Sequence, residues 1–536
     1  MPFNMTIQGQ GEIRILMKLL RQLHILMGFV WLLLILIVSV VQLELVSAQS
    51  LLSLPASQAE TYIGWLSIRY GDPPPNSGLP PRIIKRLLDD QGKPLVYLVM
   101  DDNTAHRFNK QLVQVTVQTD AVGTANVAGL PAYTVTAIEA LATGEQIDSR
   151  DVSAQLTGSQ PYVNLLCSFP DIGSPPEPLS WYQGLLGSSY PALGHYWSQT
   201  SYNNINLNGS ATTGQWYPMP HPQAEYLFPN GSADLDSLLE DCIQAANAAV
   251  NFANFVGINM FFDGELDCCA WGGWADMTLD GSFKRYQLTW LPSGVDLATL
   301  GHEMGHGFGL PHSSGPASKP PTGLNIYVSS WDIMSRSSSF DYSVDDIVYG
   351  YLPPGTIAHH RDILNWIPAN RKTVFNSGQA GTITLEQLQL PQANSNYWLA
   401  KIPIGGSSTR FYTLEARTHS GYDQSAPPAS PATPGAVIIH NVDVNRSSNA
   451  GPALVVDQDT NGNVNDAGAR WLPGETFTDI ANKIQLSVLS STPTSFTVYI
   501  SNNVSSSAAP LRNLYTTATQ TLRWSVVSWA TGYRIQ

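Results

Sequence analysis

Apolar and polar positions change rhythm several times along the chain. Residues 25–41 form an apolar run, with no charge until Glu44. Between residues 57 and 155 the apolar residues come in short alternating or continuous blocks: Thr61 to Arg69, Leu95 to Met100 and Leu112 to Val117. Blocks of that length predict strands, here of a small five-stranded β domain of OB type. From residue 160 the rhythm is mixed. Strands are predicted at Val163 to Phe169, Ile205 to Asn208, near Trp216, at Ile258 to Phe262, Ala270 to Thr278 and Tyr286 to Leu291. Helices are predicted near Tyr190 to Thr200 and over Asp234 to Phe252, where Leu235, Leu238, Leu239, Cys242, Ala246 and Val250 share one side. Leu297, Leu300, Met304 and Phe308 also recur at helical spacing, behind a start resembling a capping box at Ser293 to Asp296. Beyond Trp366 short strands return, among them Thr382 to Leu385, Tyr397 to Ile402, Phe411 to Ala416, Ala436 to His440, Ile484 to Val488 and Ser495 to Ile500. They predict a β-sandwich, with the Pro-rich stretch Ala426 to Pro434 as a loop.

The helix from Leu297 carries the chemistry. His302, Glu303, His306, Gly309 and His312 form the pattern HExxHxxGxxH. Histidines four apart stand one turn apart on the same helix face and can reach a single metal. Gly309 is the residue suited to leave the helix at positive φ, so that His312 can add a third nitrogen. Three histidines with one open position make the catalytic, not the closed structural, arrangement for zinc. Glu303 adjoins a ligand and is placed to act as general base on the water at the open position.

Downstream lies Ser330-Trp331-Asp332-Ile333-Met334-Ser335. With this second element the chain resembles the metzincin clan of zinc endopeptidases, in which a turn bearing a methionine forms an apolar floor beneath the histidines. Met334 is the matching position. Within the clan the resemblance is to gametolysin-like secreted peptidases, with some features of the immune-inhibitor-A type; His312 favours the former, since the latter has Asp at that position. The resemblance spans roughly residues 161 to 501 and is strong only at the zinc helix. It implies a metzincin-like α/β catalytic domain over residues 160–370 and makes Ala270 to Thr278 the sheet edge above the cleft, where an extended peptide would pair. Some members carry a tyrosine two residues after the methionine; here that position is Arg336, so a tyrosine ligand is not carried over. Other members are kept latent by a propeptide cysteine. No cysteine lies between Gln49 and Asn164, so that route is closed, although residues 57–155 are a candidate propeptide by position.

The whole chain is thus expected to be a multidomain α+β protein: a leader at 1–48, the small β domain at 57–155, the catalytic domain at 160–370, the β-sandwich at 371–502 and, over 503–536, a linker with the first strands of a fibronectin-III-like module that stops mid-domain, as if the chain continued. Charged residues make up only 13% and the formal charge is −14, which argues against nucleic acid and anionic membrane surfaces as partners. Arg14, Lys18 and Arg21 before the apolar run, and Val46-Ser47-Ala48 after it, read as a secretory leader; the run is also long enough to remain as an anchor. Either way the rest is expected to be secreted or displayed at the cell surface, and only a retained anchor would make it a membrane protein. The four cysteines, Cys167, Cys242, Cys268 and Cys269, allow three pairings; their spacing suggests Cys242 with Cys268 or Cys269.

Asp457, Asp459 and Asn461, followed by Gly462, repeat the first half of an EF-type calcium loop, but the twelfth position is Gly468 and the usual closing acid is missing. They are candidate calcium ligands, with a metal-free Asx turn as the alternative. His195, His221, His359, His360 and His440 show no ligand spacing. Taken together, the sequence predicts an exported zinc endopeptidase acting on protein or peptide substrates. The alternative is an adhesion or binding protein whose peptidase domain is inactive. Oligomeric state and substrate are not readable.

Overall fold

The structure, a computed structural model, describes residues 59–74, 77, 79–118, 130–141, 156–316, 327–335, 344–424, 426–427, 435–446, 451–503, 515–516 and 522–523. The leader, most of the Pro-rich loop, Arg336 and most of the fibronectin-like segment lie outside these residues. Among the described residues no helix is long and apolar enough to cross a membrane. The chain divides into two compact units. One comprises Met1–Glu60 and Gln118–Val122, of which residues 59, 60 and 118 are described; the other, Thr61–Val117 with Gly123–Gln536, holds everything that follows.

Five strands build a barrel: β1 (Ala59–Asp72), β2 (Arg82–Leu88), β3 (Pro94–Val99), β4 (Leu112–Gln118) and β5 (Ala132–Ala140). Their order is β1-β2-β3-β5-β4, and β4 pairs back on β1 to close the ring. Closure leaves no unpaired edge in the ring. Alternation puts Leu66, Ile68, Val96, Leu98, Val113, Val115 and Val117 inside. Helix α1 (Asp102–Phe108) bridges β3 and β4, with Asp101 as its N-cap.

The barrel is not a separate layer. The last three residues of β1 pair antiparallel with a strand of the next sheet, so barrel and sheet form one eleven-stranded system. That sheet contains β6 (Tyr162–Ser168), β7 (Gly257–Phe262), β8 (Ala270–Leu279) and β9 (Ser282–Leu291) in the order β6-β7-β9-β8-β1. Helix α2 (Leu235–Ala246) packs on β6 and is tied to it by the Cys167–Cys242 disulfide. The second disulfide joins neighbours, Cys268–Cys269. The pairing of Cys242 with Cys268 or Cys269 suggested by spacing is therefore corrected: Cys167 lies opposite Cys242, their Cα atoms 5.8 Å apart. Helix α2 also stops at Ala246, short of the expected Phe252.

Helix α3 (Leu297–Phe308) follows β9 directly. Asp296 caps it, accepting from the Thr299 amide and hydroxyl at 2.8 Å each. Asp296, not Ser293, thus provides the cap. Beyond α3 two sheets pack through a shared apolar core that includes Leu414, Ile439, Leu486 and Val498. One sheet has six strands and contains β10 (Ser314–Pro316); the other has four. Because β10 begins two residues after His312, the six-stranded sheet grips the chain immediately behind the last histidine.

The expected multidomain α+β chain with a metzincin-like α/β catalytic domain is corrected. The described residues are mostly β, built as a closed five-stranded barrel and several sheets. The longest described helices, α2 and α3, have 12 residues each. The periodicity of the histidine-bearing helix is local, whereas the aromatic and β-branched runs at Ile258 to Phe262, Ala270 to Thr278 and Tyr286 to Leu291 form strands.

Candidate metal centre

Helix α3 approaches its neighbours closely because its inner face carries glycines. A Cβ at Gly305 would meet Met334 Sδ at 2.5 Å, and one at Gly301 would meet Ile333 Cδ1 at 2.9 Å. The turn at Ile333–Ser335 can therefore lie directly under the helix, with Met334 fully buried. From the other side, a Cβ at Gly272 of β8 would meet the Glu303 carbonyl at 2.5 Å. The helix ends at Gly309, with φ 103° and its amide bonded to the carbonyls of Gly305 and His306. This left-handed cap turns the chain so that His312 comes back over the helix face.

The three imidazoles converge. His306 Nε2 lies 3.1 Å from His302 Nε2 and 3.2 Å from His312 Nε2. Their far nitrogens fix the tautomers: His302 Nδ1 faces the Ile333 carbonyl at 2.7 Å, and His306 Nδ1 faces the Leu310 carbonyl at 2.9 Å. A carbonyl only accepts, so Nδ1 of His302 and of His306 carries the hydrogen and their Nε2 atoms point lone pairs at each other, while His312, whose Nδ1 has no partner among the described residues, brings its Nε2 to the same point. Lone pairs that close need a cation among them. Nitrogens bound tetrahedrally at about 2.0–2.1 Å would stand about 3.3–3.4 Å apart, so the donor set fits a metal. Burial also pushes the His306 imidazole down to about 3, despite the Asp72 carboxylate beside it, which leaves it neutral and able to ligate.

A fourth donor comes from the barrel. Asp72, the last residue of β1, puts Oδ1 2.8 Å from His312 Nε2 and Oδ2 3.2 Å from His306 Nε2 and 3.4 Å from His302 Nε2. These four residues form a buried group able to hold a metal ion. Burial alone would raise the Asp72 carboxyl, but positive charge at the His312 and His302 positions outweighs it and holds it well below the usual range. The Tyr327 hydroxyl donates to Asp72 Oδ1. The Tyr70 ring stacks on His306, with centroids 4.1 Å apart and planes 8° from parallel.

Glu303 is fully buried, and neither carboxylate oxygen has a hydrogen-bond partner among the described residues. Burial first, then the Asp72 charge, pushes its carboxyl well above the ordinary range. It borders a cavity of about 340 Å³ lined also by Asp72, Pro73, Ala270, Val295 and His302.

The sequence named His302, Glu303, His306, His312 and Met334, and the fold brings all five together. Asp72 and Tyr327 were missed. Nothing in the Asp72-Pro73-Pro74 run marks a ligand, and Tyr327 stands before the methionine, whereas the clan pattern looks after it. Asp332, in the same turn, contacts His360 Nδ1 at 2.8 Å. Its neighbour Trp331 receives Arg417 Nη1 on its carbonyl at 2.7 Å, which ties the turn to the six-stranded sheet.

The second candidate cluster lies elsewhere. Asp457, Asp459 and Asp466 bring carboxylate oxygens within 4.8 Å of one another. Asp466, the tenth residue of the loop, supplies the acid that is absent at the twelfth. Asp457 is 6% exposed and its Oδ1 has no hydrogen-bond partner among the described residues. Burial, then Asp459, raises its carboxyl. The Asn461 amide nitrogen faces Asp459 and Asp466 at 3.0 and 2.7 Å, so here it holds the carboxylates together. The same loop braces the turn bearing Met334: Asn465 bonds the Val328 carbonyl at 2.6 Å and the Ser330 amide at 2.9 Å, and Trp331 Nε1 donates to the Val464 carbonyl at 2.8 Å.

No family model matches this chain, and no curated protein matches it.

Proposed function

We propose that the chain is an exported zinc-dependent endopeptidase. The observation that carries this reading is the convergence of the three Nε2 atoms beside Glu303, whose carboxylate has no partner among the described residues. His302, His306 and His312 would hold the metal, and zinc bound there supplies the Lewis acidity that makes water nucleophilic near neutral pH and polarises a carbonyl. Glu303 takes a proton from the attacking water and delivers it to the leaving amine as the C–N bond breaks. Tyr327 is placed to donate to the developing oxyanion once Asp72 withdraws. Two disulfides among the described residues support export, since such bonds persist in oxidising compartments. Secreted or surface-bound, the enzyme would act on proteins or peptides.

The test is hydrolysis of an unfolded protein by zinc-loaded chains, both native and Asp72→Asn. Glu303→Gln should lower the rate about 10²–10⁴-fold while zinc content is kept. If zinc-loaded native and Asp72→Asn chains both cleave nothing, the peptidase reading fails and the alternative of a binding protein takes its place.

We also propose that Asp457, Asp459 and Asp466 bind calcium. The buried, unpartnered Asp457 Oδ1 carries this reading, since hard cations take clustered carboxylate oxygens. Calcium would then stiffen the loop that braces the Met334 turn. The melting temperature should rise with added Ca²⁺ but not with Mg²⁺, and Asp457→Asn should abolish the rise; a native melting curve indifferent to Ca²⁺ would rule the site out.

A further inference from the structure

We infer that the barrel is a built-in inhibitor whose strand β1 occupies the substrate's place and whose Asp72 fills the metal's fourth position. The inference rests on the metal-hydrolase reading of the site.

Two independent observations meet here. The first concerns the sheet edge. Strand β8 offers one edge to β9, and on its other edge Tyr70, Gly71 and Asp72 pair antiparallel with Gly272, Trp271 and Ala270. An extended peptide drawn onto that edge would use the same main-chain groups. Close approach is secured by Gly71, where a Cβ would meet the Trp271 ring at 2.7 Å. Pairing stops at Asp72 because Pro73 and Pro74 have no N–H to donate, and these prolines then line the cavity that borders Glu303. The second observation concerns the donor set. With Asp72 added, three imidazoles and a carboxylate complete a four-coordinate zinc site, which is the closed arrangement and leaves water no position. The general base then has nothing to deprotonate.

Contacts that do not involve Asp72 itself hold the barrel in place. Arg69 and Arg86, both buried, share Asp236 at the start of α2, at 2.6 and 2.7 Å. Lys110 Nζ donates to the Gly307 carbonyl at 2.7 Å, and Trp274 Nε1 donates to Asn109 Oδ1 at 2.9 Å. Opening the site therefore needs the three-residue end of β1 to lift from β8, together with Ile83 and Arg82 of β2, which pair with Tyr70 and Gly71. It does not need the barrel to leave.

The test uses the full zinc-loaded chain and a small hydroxamate that binds zinc at the open position. The probe's apparent affinity is reduced by the fraction of time the position is free, so Asp72→Asn should tighten hydroxamate binding, read by calorimetry, at least about tenfold. Zinc content should stay near one per chain. Because the anchoring contacts lie elsewhere and Asn is isosteric, the variant should fold; Tyr327→Phe, which removes only the hydroxyl on Asp72, should tighten binding in the same direction by less. Equal hydroxamate affinity in the native chain and both variants would overturn the inhibitor while leaving the peptidase intact. Loss of zinc in Asp72→Asn would also overturn it, because Asp72 would then be a permanent structural ligand. Failure of the peptidase reading shows separately, as absence of hydrolysis in every zinc-loaded form.

Discussion

The histidines and Asp72 reach the same point by opposite routes. The histidines come from one stretch, His302 to His312, positioned by helix geometry and a left-handed glycine cap. Asp72 arrives 234 positions before His306, at the end of a barrel strand, and is aligned only by pairing with β8. The difference teaches which ligands are intrinsic to the site and which are imposed on it. His302 and His306 cannot separate without unwinding α3, and His312 is tied to them by the left-handed turn at Gly309. The carboxylate can withdraw by losing the three pairings with β8, provided the end of β2 moves with β1.

The sharpest way to break that comparison is to remove one member of each set. His306→Ala should weaken zinc binding by more than about 100-fold, beyond the 10–100-fold typical for loss of a supporting hydrogen bond. Competition against a chromophoric chelator would measure it. Asp72→Asn should retain zinc in the same assay; equal losses would make the two routes equivalent. Next in size is the anchor between barrel and sheet. Asp236→Ala leaves Arg69 and Arg86 buried without their shared carboxylate and should cost about 3 kcal/mol, the low end for a broken buried pair because Asp236 is itself partly exposed. Denaturant unfolding would show it, with zinc stoichiometry unchanged. Gly272→Ala should cost about 1–3 kcal/mol, since its Cβ must push β8 away from the Glu303 backbone. Its effect on hydrolysis should exceed its effect on stability, because Glu303 moves with that contact.

The same contrast explains what the sequence made legible. Helical spacing, Gly309 and Met334 are short-range signals, and they sufficed to assemble five of the site's residues. Asp72 carries no such signal: an acid before a proline run describes any surface loop until β1 is known to lie against β8. The α/β expectation failed for a related reason. It came with the resemblance carried by one helix motif, whereas β6 to β9 form a sheet that continues into the barrel. The calcium loop shows the intermediate case. Asp457 and Asp459 were visible from their alternation, but Asp466 enters the cluster from the tenth position, which the EF-type pattern does not use.

The most direct test of the account is a crystal of the native zinc-loaded chain measured on both sides of the zinc absorption edge. The account predicts one anomalous peak bonded at about 2.0–2.2 Å to the Nε2 atoms of His302, His306 and His312 and to a carboxylate oxygen of Asp72. A peak bound by the histidines with water in place of Asp72 would contradict the built-in inhibitor, and no peak among the histidines would contradict the metal centre itself.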